Sequence, residues 1–372
     1  MSSHGARADV PGPLRAVELI RVRLPLVRPF RTARGATSHK DALLVHAVTA
    51  DAEGWGECAA EPTPGYSGET LDGARLMLRD HLVPRAFAGH DFADVRGNAF
   101  ARAALEAALL DAQLQATGQS LAAYLGGTRP TVEAGVAIGI TDDEKELRTL
   151  AAAYHAEGYR RIKLKIEPGA DVATVAAVRA ELGDDVTLAV DANGAYTLED
   201  ASTLAALDRF ALQCVEQPLP PDAMRAHSEL AHRLTTPIAL DESVTSATIA
   251  RDAIALGACR VVNIKPGRVG GVREAQRVHD VCLDGATAAL IGGMLETGIG
   301  RAVNVALAAL SGFTEAGDLS ASSRYFVEDI TEPWVLIDGH LRVPTGPGIG
   351  VSVRPDVIAR SALARETLRA ES

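Results

Sequence analysis

The sequence predicts an α/β barrel preceded by a smaller α+β region, and three observations over its 372 residues support this. Short apolar or β-branched runs alternate with Ala/Leu-rich helical stretches through the middle of the chain. Each run ends on a charged residue, and the successive ends Lys165, Asp191, Glu216, Asp241 and Lys265 stand 24 to 26 residues apart. That interval holds one strand, one helix and two short loops. The charges then choose the topology, because the repeat alone fits an open sheet as well as a closed barrel. Only in a barrel do all strand ends meet at one mouth.

The elements follow in order. Residues 1–13 are small, polar and Pro/Gly-containing, and read as a disordered tail. Residues 14–57 read as a β meander, with stretches at 17–24 and 43–48 that alternate or run apolar and with Gly54 and Gly56 at turns. Between those runs, Pro29-Phe-Arg-Thr-Ala-Arg-Gly35 is a polar, Gly-ended connection suited to a mobile lid near 28–38. A helix is clearest over 102–114, and these parts together make a first region spanning 14–130. The barrel region, 131–325, opens with a strand at 133–140. Strand and helix pairs follow at 161–165 and 172–182, 186–191 and 198–207, 212–216 and 224–234, 238–241 and 247–256, and 261–265 and 272–282. A seventh strand is expected at 286–291 and an eighth near Asp318. Thr197-Leu-Glu-Asp200 reads as a capping box, and Gly285 as a helix end. The final segment, 326–372, carries the Pro/Gly-rich stretch 344–350 and is expected to return to the first region.

Composition narrows the function. A net charge of −11 without a dense Lys/Arg run argues against nucleic acid or an anionic membrane as the main partner. No segment approaches the roughly 20 consecutive apolar residues that span a bilayer. Cys58, Cys214, Cys259 and Cys282 are scattered, so they read as buried thiols in a reducing compartment. The expectation is a cytoplasmic enzyme acting on a small molecule.

The chemistry lies in the strand ends. Asp191, Glu216 and Asp241 close three consecutive strands, and three carboxylates at one mouth need a counter-charge. Oxygen ligands without a His or Cys cluster favour a hard divalent ion, Mg²⁺ or Mn²⁺, over zinc. Lys163 and Lys165 are two apart on one strand and so share a face, where mutual repulsion lowers the pKa of one and prepares it as a base. Lys265 approaches from across the barrel. The pattern suits removal of a proton beside a substrate carboxylate, with the cation answering enediolate charge and lysines moving the proton. Asn193 either faces the mouth or serves only the turn with Gly194. Glu242 follows Asp241 and should point elsewhere or support the site, while Glu296 is a candidate partner for Lys265. The 292–300 segment has a phosphate loop's glycines but lacks its Lys-Ser/Thr ending, so its glycines read as close approaches to substrate. No Gly-x-Ser-x-Gly elbow is present, which argues against serine acyl transfer.

These residues resemble a known family. Lys163-Leu-Lys165, Asp191-Ala-Asn193, Glu216-Gln-Pro, Asp241-Glu-Ser and Asn263-Ile-Lys265-Pro-Gly-Arg-Val-Gly-Gly look like the muconate lactonising subgroup of the enolase superfamily. More narrowly, the 161–169, 292–301 and 344–350 motifs resemble the o-succinylbenzoate synthase / N-acylamino acid racemase group. The resemblance implies a modified TIM barrel of (β/α)7β type under an α+β N-terminal capping domain, in an enzyme expected to be a homo-oligomer. It implies that Asp191, Glu216 and Asp241 bind Mg²⁺, that Lys165 and Lys265 exchange protons, and that Lys163 assists. It further implies a lid carrying Phe30, Arg31 and Thr32, and substrate contacts from Gly293, Met294 and Leu295. Related reactions remain open at this stage: cycloisomerase, sugar-acid dehydratase and dipeptide epimerase, although Met294-Leu-Glu296 lacks the Asp-x-Asp usual in the last. A non-catalytic ligand-binding barrel is the rival from another class.

Overall fold

The computed structural model describes residues 12–92 and 94–370, so most of the tail expected at 1–13 lies outside the described residues. The chain begins as an antiparallel meander of β1 (Leu14–Thr32), β2 (Gly35–Thr49) and β3 (Glu53–Cys58). Val17, Leu19, Leu43 and Val45 face one core, and Ile20, Val22, Ala42 and Leu44 face another. Both faces are covered, which is why the run at 43–48 is apolar on both faces apart from His46 and does not alternate.

Helix α1 (Ala99–Thr117) packs directly on β3. Gly54 and Gly56 lie inside that strand and not at turns as expected, because the helix backbone comes too close for a side chain. A Cβ on Gly54 would stand 2.2 Å from Ala112 N, and one on Gly56 would stand 2.0 Å from Ala104 O. The expected loop at 29–35 is also ordered. Phe30, Arg31 and Thr32 pair with Thr37, Ala36 and Gly35, which makes it the end of the β1–β2 hairpin.

Seven parallel strands follow: β4 (Gly135–Ile138), β5 (Arg161–Lys165), β6 (Thr187–Asp191), β7 (Val215–Glu216), β8 (Ile238–Leu240), β9 (Val261–Ile264) and β10 (Ala288–Ile291). They hydrogen-bond in sequence order, as right-handed βα crossovers require. No full strand forms near Asp318. Gly317 O accepts from Gly135 N at 2.9 Å and Asp318 N donates to Ile291 O at 2.8 Å, so two residues close the ring where an eighth strand was expected. The run at 133–140 divides: Thr131–Glu133 pairs with His340–Arg342, and only Gly135–Ile138 enters the barrel. The run at 212–216 shortens to two residues.

Among the helices, α2 spans Val172–Leu182 as expected and α3 spans Val272–Asp284. The stretch 198–207 is broken into a 3₁₀ turn and a short helix, with Asp200 accepting from Thr197 N at 2.8 Å as the capping box requires. Gly285 caps α3 with φ −87°, and the left-handed residue is the next one, Ala286, at φ 49°. Helix α4 (Gly298–Ala308) follows β10 and is almost wholly buried.

Beyond the barrel, the 344–350 stretch lies against α1, where Asp111 binds Ile349 N at 2.8 Å and Trp55 N at 2.7 Å. Burial pushes that carboxyl up to about 6. The chain ends with β11 (Ala362–Arg369), antiparallel to β1. The β3–α1 contact gives a direct test. Gly56→Ala forces a methyl into the helix backbone and costs about 1–3 kcal/mol, read as a lowered thermal midpoint, while an unchanged midpoint would contradict the packing.

Candidate active site

The parallel register assembles the site. Lys165 is paired with Asp191 and Asp191 with Glu216, so three neighbouring strands carry these side chains side by side. Glu216 pairs with Ala239, and Asp241, two residues further on, returns to the same face. Oxygens of Asp191, Glu216 and Asp241 all lie within 4.8 Å of one another, and the three residues are at most 1% exposed.

Buried negative charge at this density draws cations from several directions. Lys165 Nζ donates to Asp191 Oδ2 at 2.5 Å, and Lys163 Nζ lies 2.9 Å from Glu216 Oε2 and 3.4 Å from Asp191 Oδ2. Lys265 Nζ meets Asp241 Oδ2 at 2.7 Å from the opposite side. Arg268 also binds Asp241, and the Tyr66 hydroxyl donates to it at 2.8 Å. Burial and the neighbouring Asp191 push Glu216 up, while Lys165 and Lys163 overcome burial to hold Asp191 well below the usual carboxylate range.

The paired lysines separate as expected, although the main cause differs. Burial, with Lys163 adding repulsion, pulls Lys165 below an ordinary amine. Burial also opposes the charge on Lys163, but Asp318, Glu216 and Asp191 outweigh it and raise that amine. Three carboxylates with no His or Cys among them form a donor set that fits a hard divalent cation.

A cavity of about 340 Å³ opens above these groups, lined by Lys163, Lys165, Asn193 and Lys265. Phe30, Thr32, Gly293, Met294 and Leu295 line it too. Arg31 does not join them. Strand alternation turns it to the other face, where it binds Asp142 at 2.5 Å and Glu167 at 3.0 Å. Asn193 does both things considered for it: it takes φ 46° beside Gly194, and its Oδ1 accepts from Lys165 Nζ at 2.9 Å. Its Nδ2 donates to Glu242 Oε1 at 3.1 Å, so Glu242 supports the site from behind.

Glu296 is not the partner of Lys265. With Leu295 at φ 56°, the loop folds Glu296 beneath itself, where it accepts from Met294 N at 2.8 Å and Asn304 Nδ2 at 3.1 Å. The same loop is held from the other region of the chain. Lys40 Nζ donates to Met294 O at 2.8 Å, and Glu57 accepts from Thr297 N and Gly300 N at the start of α4. Sequence reasoning missed Tyr66, Lys40, Glu57 and Asp318, whose partners lie far away along the chain. Arg268 stood inside the quoted 263–271 motif without being singled out.

Comparison with known proteins agrees with this geometry. The family described as mandelate racemase / muconate lactonizing enzyme, N-terminal domain, matches residues 15–126, and the enolase C-terminal domain-like family matches 146–357. An N-succinylamino acid racemase from Amycolatopsis sp. is 53% identical over 354 residues, covering 93% of this chain and 96% of that protein. An o-succinylbenzoate synthase from Geobacillus stearothermophilus is 45% identical over 348 residues, covering 91% and 92%. Among solved structures, an enolase superfamily member from Listeria innocua superposes with a TM-score of 0.92 at 36% identity, covering 96% of this chain and 100% of that one. Muconate lactonizing enzyme from Pseudomonas fluorescens gives 0.89 at 27% identity, covering 95% and 100%. On matches that span the meander, the barrel and the strand-end motifs, the chain belongs to the mandelate racemase / muconate lactonizing enzyme family of the enolase superfamily.

Proposed function

We propose that this chain is a Mg²⁺-dependent o-succinylbenzoate synthase / N-acylamino acid racemase that removes the proton α to a substrate carboxylate. The observation that carries the reading is the placement of two buried amines on opposite sides of one carboxylate triad, Lys165 at Asp191 and Lys265 at Asp241. Asp191, Glu216 and Asp241 would hold the ion, with Mn²⁺ an acceptable substitute. When bound, it supplies positive charge that stabilises the enediolate relative to the bound acid.

The chain's own residues do the rest. Lys165, lowered in pKa and steadied by Asn193, takes the α proton from one face. Lys265 holds a proton on the other face. In racemisation Lys265 delivers that proton to the α carbon, inverting it, and the roles exchange for the opposite enantiomer. In the synthase reaction an enediolate of the same kind loses its β hydroxyl, which takes up the proton that Lys165 removed and leaves as water. Lys163, tied to Glu216 and Asp318, remains charged beside Lys165 and keeps positive potential at the mouth. Phe30 and Thr32 on the hairpin, with Met294 and Leu295, exclude water from above. Four buried free thiols suit a cytoplasmic setting, and among the described residues no helix is long and apolar enough to cross a membrane.

Three measurements test the reading. Lys165→Ala and Lys265→Ala should each lower turnover by about 10²- to 10⁴-fold while calorimetry still shows Mg²⁺ binding, and retained turnover would remove the lysines from their roles. Assays of o-succinylbenzoate formation and N-succinylamino acid racemisation should both fail in EDTA and recover with Mg²⁺. Glu216→Gln should lose activity and Mg²⁺ affinity together, and activity insensitive to EDTA would sink the cation's part.

A further inference from the structure

Arg34 reaches the cavity but has no part in the proton transfers. It stands in the turn of the β1–β2 hairpin, and its Nη1 donates to Glu242 Oε1 at 2.5 Å. Glu242 is a firm anchor, with a side chain only 2% exposed that also accepts from Asn193. The guanidinium lies over the Tyr66 ring, 5.1 Å from its centroid. One bond and one ring therefore fix the group, yet Nε and Nη2 make no hydrogen bond among the described residues. The bond to Glu242 is single, since Glu242 Oε2 has no partner. A guanidinium held in this way presents unused donors in a planar fork that matches a carboxylate.

Its position indicates which carboxylate it would meet. Arg34 is three hydrogen bonds from the base, through Glu242 and Asn193 to Lys165. It stands beside the reacting centre, on the wall made by the first region of the chain. The substrate's reacting carboxylate belongs at the triad, between the two amines. Lys40, the other cation on that wall, is committed to Met294 O and Ala59 O. Asp41 is neutralised by a two-pronged pair with Arg23, and Glu61 is the remaining cavity-lining acid facing Arg34.

We infer that Arg34 binds the negatively charged end of the substrate's acyl chain and so makes this chain prefer dicarboxylate substrates over the same amides with an uncharged acyl group. This specificity role rests on the reading that the barrel enolises an N-acylamino acid. The test compares N-succinyl- and N-butyryl-L-phenylalanine, which share chain length but differ in the terminal charge, using the full chain with Mg²⁺. In Arg34→Met, the ratio of kcat/KM for the succinyl over the butyryl substrate should fall at least tenfold, mainly through KM, and Arg34→Lys should restore part of it. An unchanged ratio, from equal losses on both substrates or from no loss, overturns the assignment and leaves Arg34 a hairpin latch or a partner of Glu61. Calorimetric binding of the same two compounds needs no turnover and separates the two readings. If the wild-type protein binds the succinyl compound in an Arg34-dependent manner yet racemises neither, the enolising reading falls and the Arg34 role stands. Equal binding of both compounds by wild-type and Arg34→Met protein removes the role even when racemisation proceeds.

Discussion

Three carboxylates held within 4.8 Å of one another in a buried pocket are the constraint on which the rest of this molecule depends. Each charge taken out of water is costly, and placing three together adds repulsion that no packing of apolar groups can offset. The chain answers with a shell of Lys163, Lys165, Lys265 and Arg268, every one hydrogen-bonded to at least one member of the trio. Removing one partner of a buried pair typically costs about 3–5 kcal/mol, so acids and bases must be retained together. The same crowding of carboxylate oxygens that makes the pocket expensive to fold supplies a donor set that fits a divalent ion.

A barrel is the economical scaffold for such a cluster. Parallel pairing places Lys165, Asp191 and Glu216 on adjacent strands in register, about 4.8 Å apart by strand spacing alone. Short rigid strands therefore do what loops would do only with ordering cost. Period-two alternation sends Arg161, Lys163 and Lys165 inward while Ile162 and Leu164 pack against the outer helices. Below the trio, Arg161 and Asp318 continue the ionic network, and Ala189, Cys214, Ala239, Val261 and Leu290 fill the axis.

This division explains what could be read from the sequence. The spacing of Lys165, Asp191, Glu216, Asp241 and Lys265 is local information repeated over four intervals, and it is legible because each strand end is fixed by its own register. The eighth strand was overestimated because two backbone hydrogen bonds at Gly317 and Asp318 suffice to close the ring. Gly54 and Gly56 looked like turn residues because nothing local announces that α1 will lie against β3. The resemblance groups Arg31 with Phe30 and Thr32 in one lid, whereas the hairpin's pleat separates them. Glu296 was matched to Lys265 by charge, but a left-handed Leu295 turned it to Asn304.

The contacts that escaped detection share a property. Tyr66 to Asp241, Lys40 to Met294, Glu57 to Thr297 and Arg34 to Glu242 each join the first region of the chain to a barrel loop across 175 residues or more. None repeats, so none leaves a period in the sequence. The barrel ends supply the ion site and the proton-moving amines from one structural rule, whereas the roof over them is built from single pairings between distant segments. Chemistry common to a superfamily can therefore stay with the strand ends, and choice among substrates can change through one residue of the hairpin without disturbing the trio beneath it.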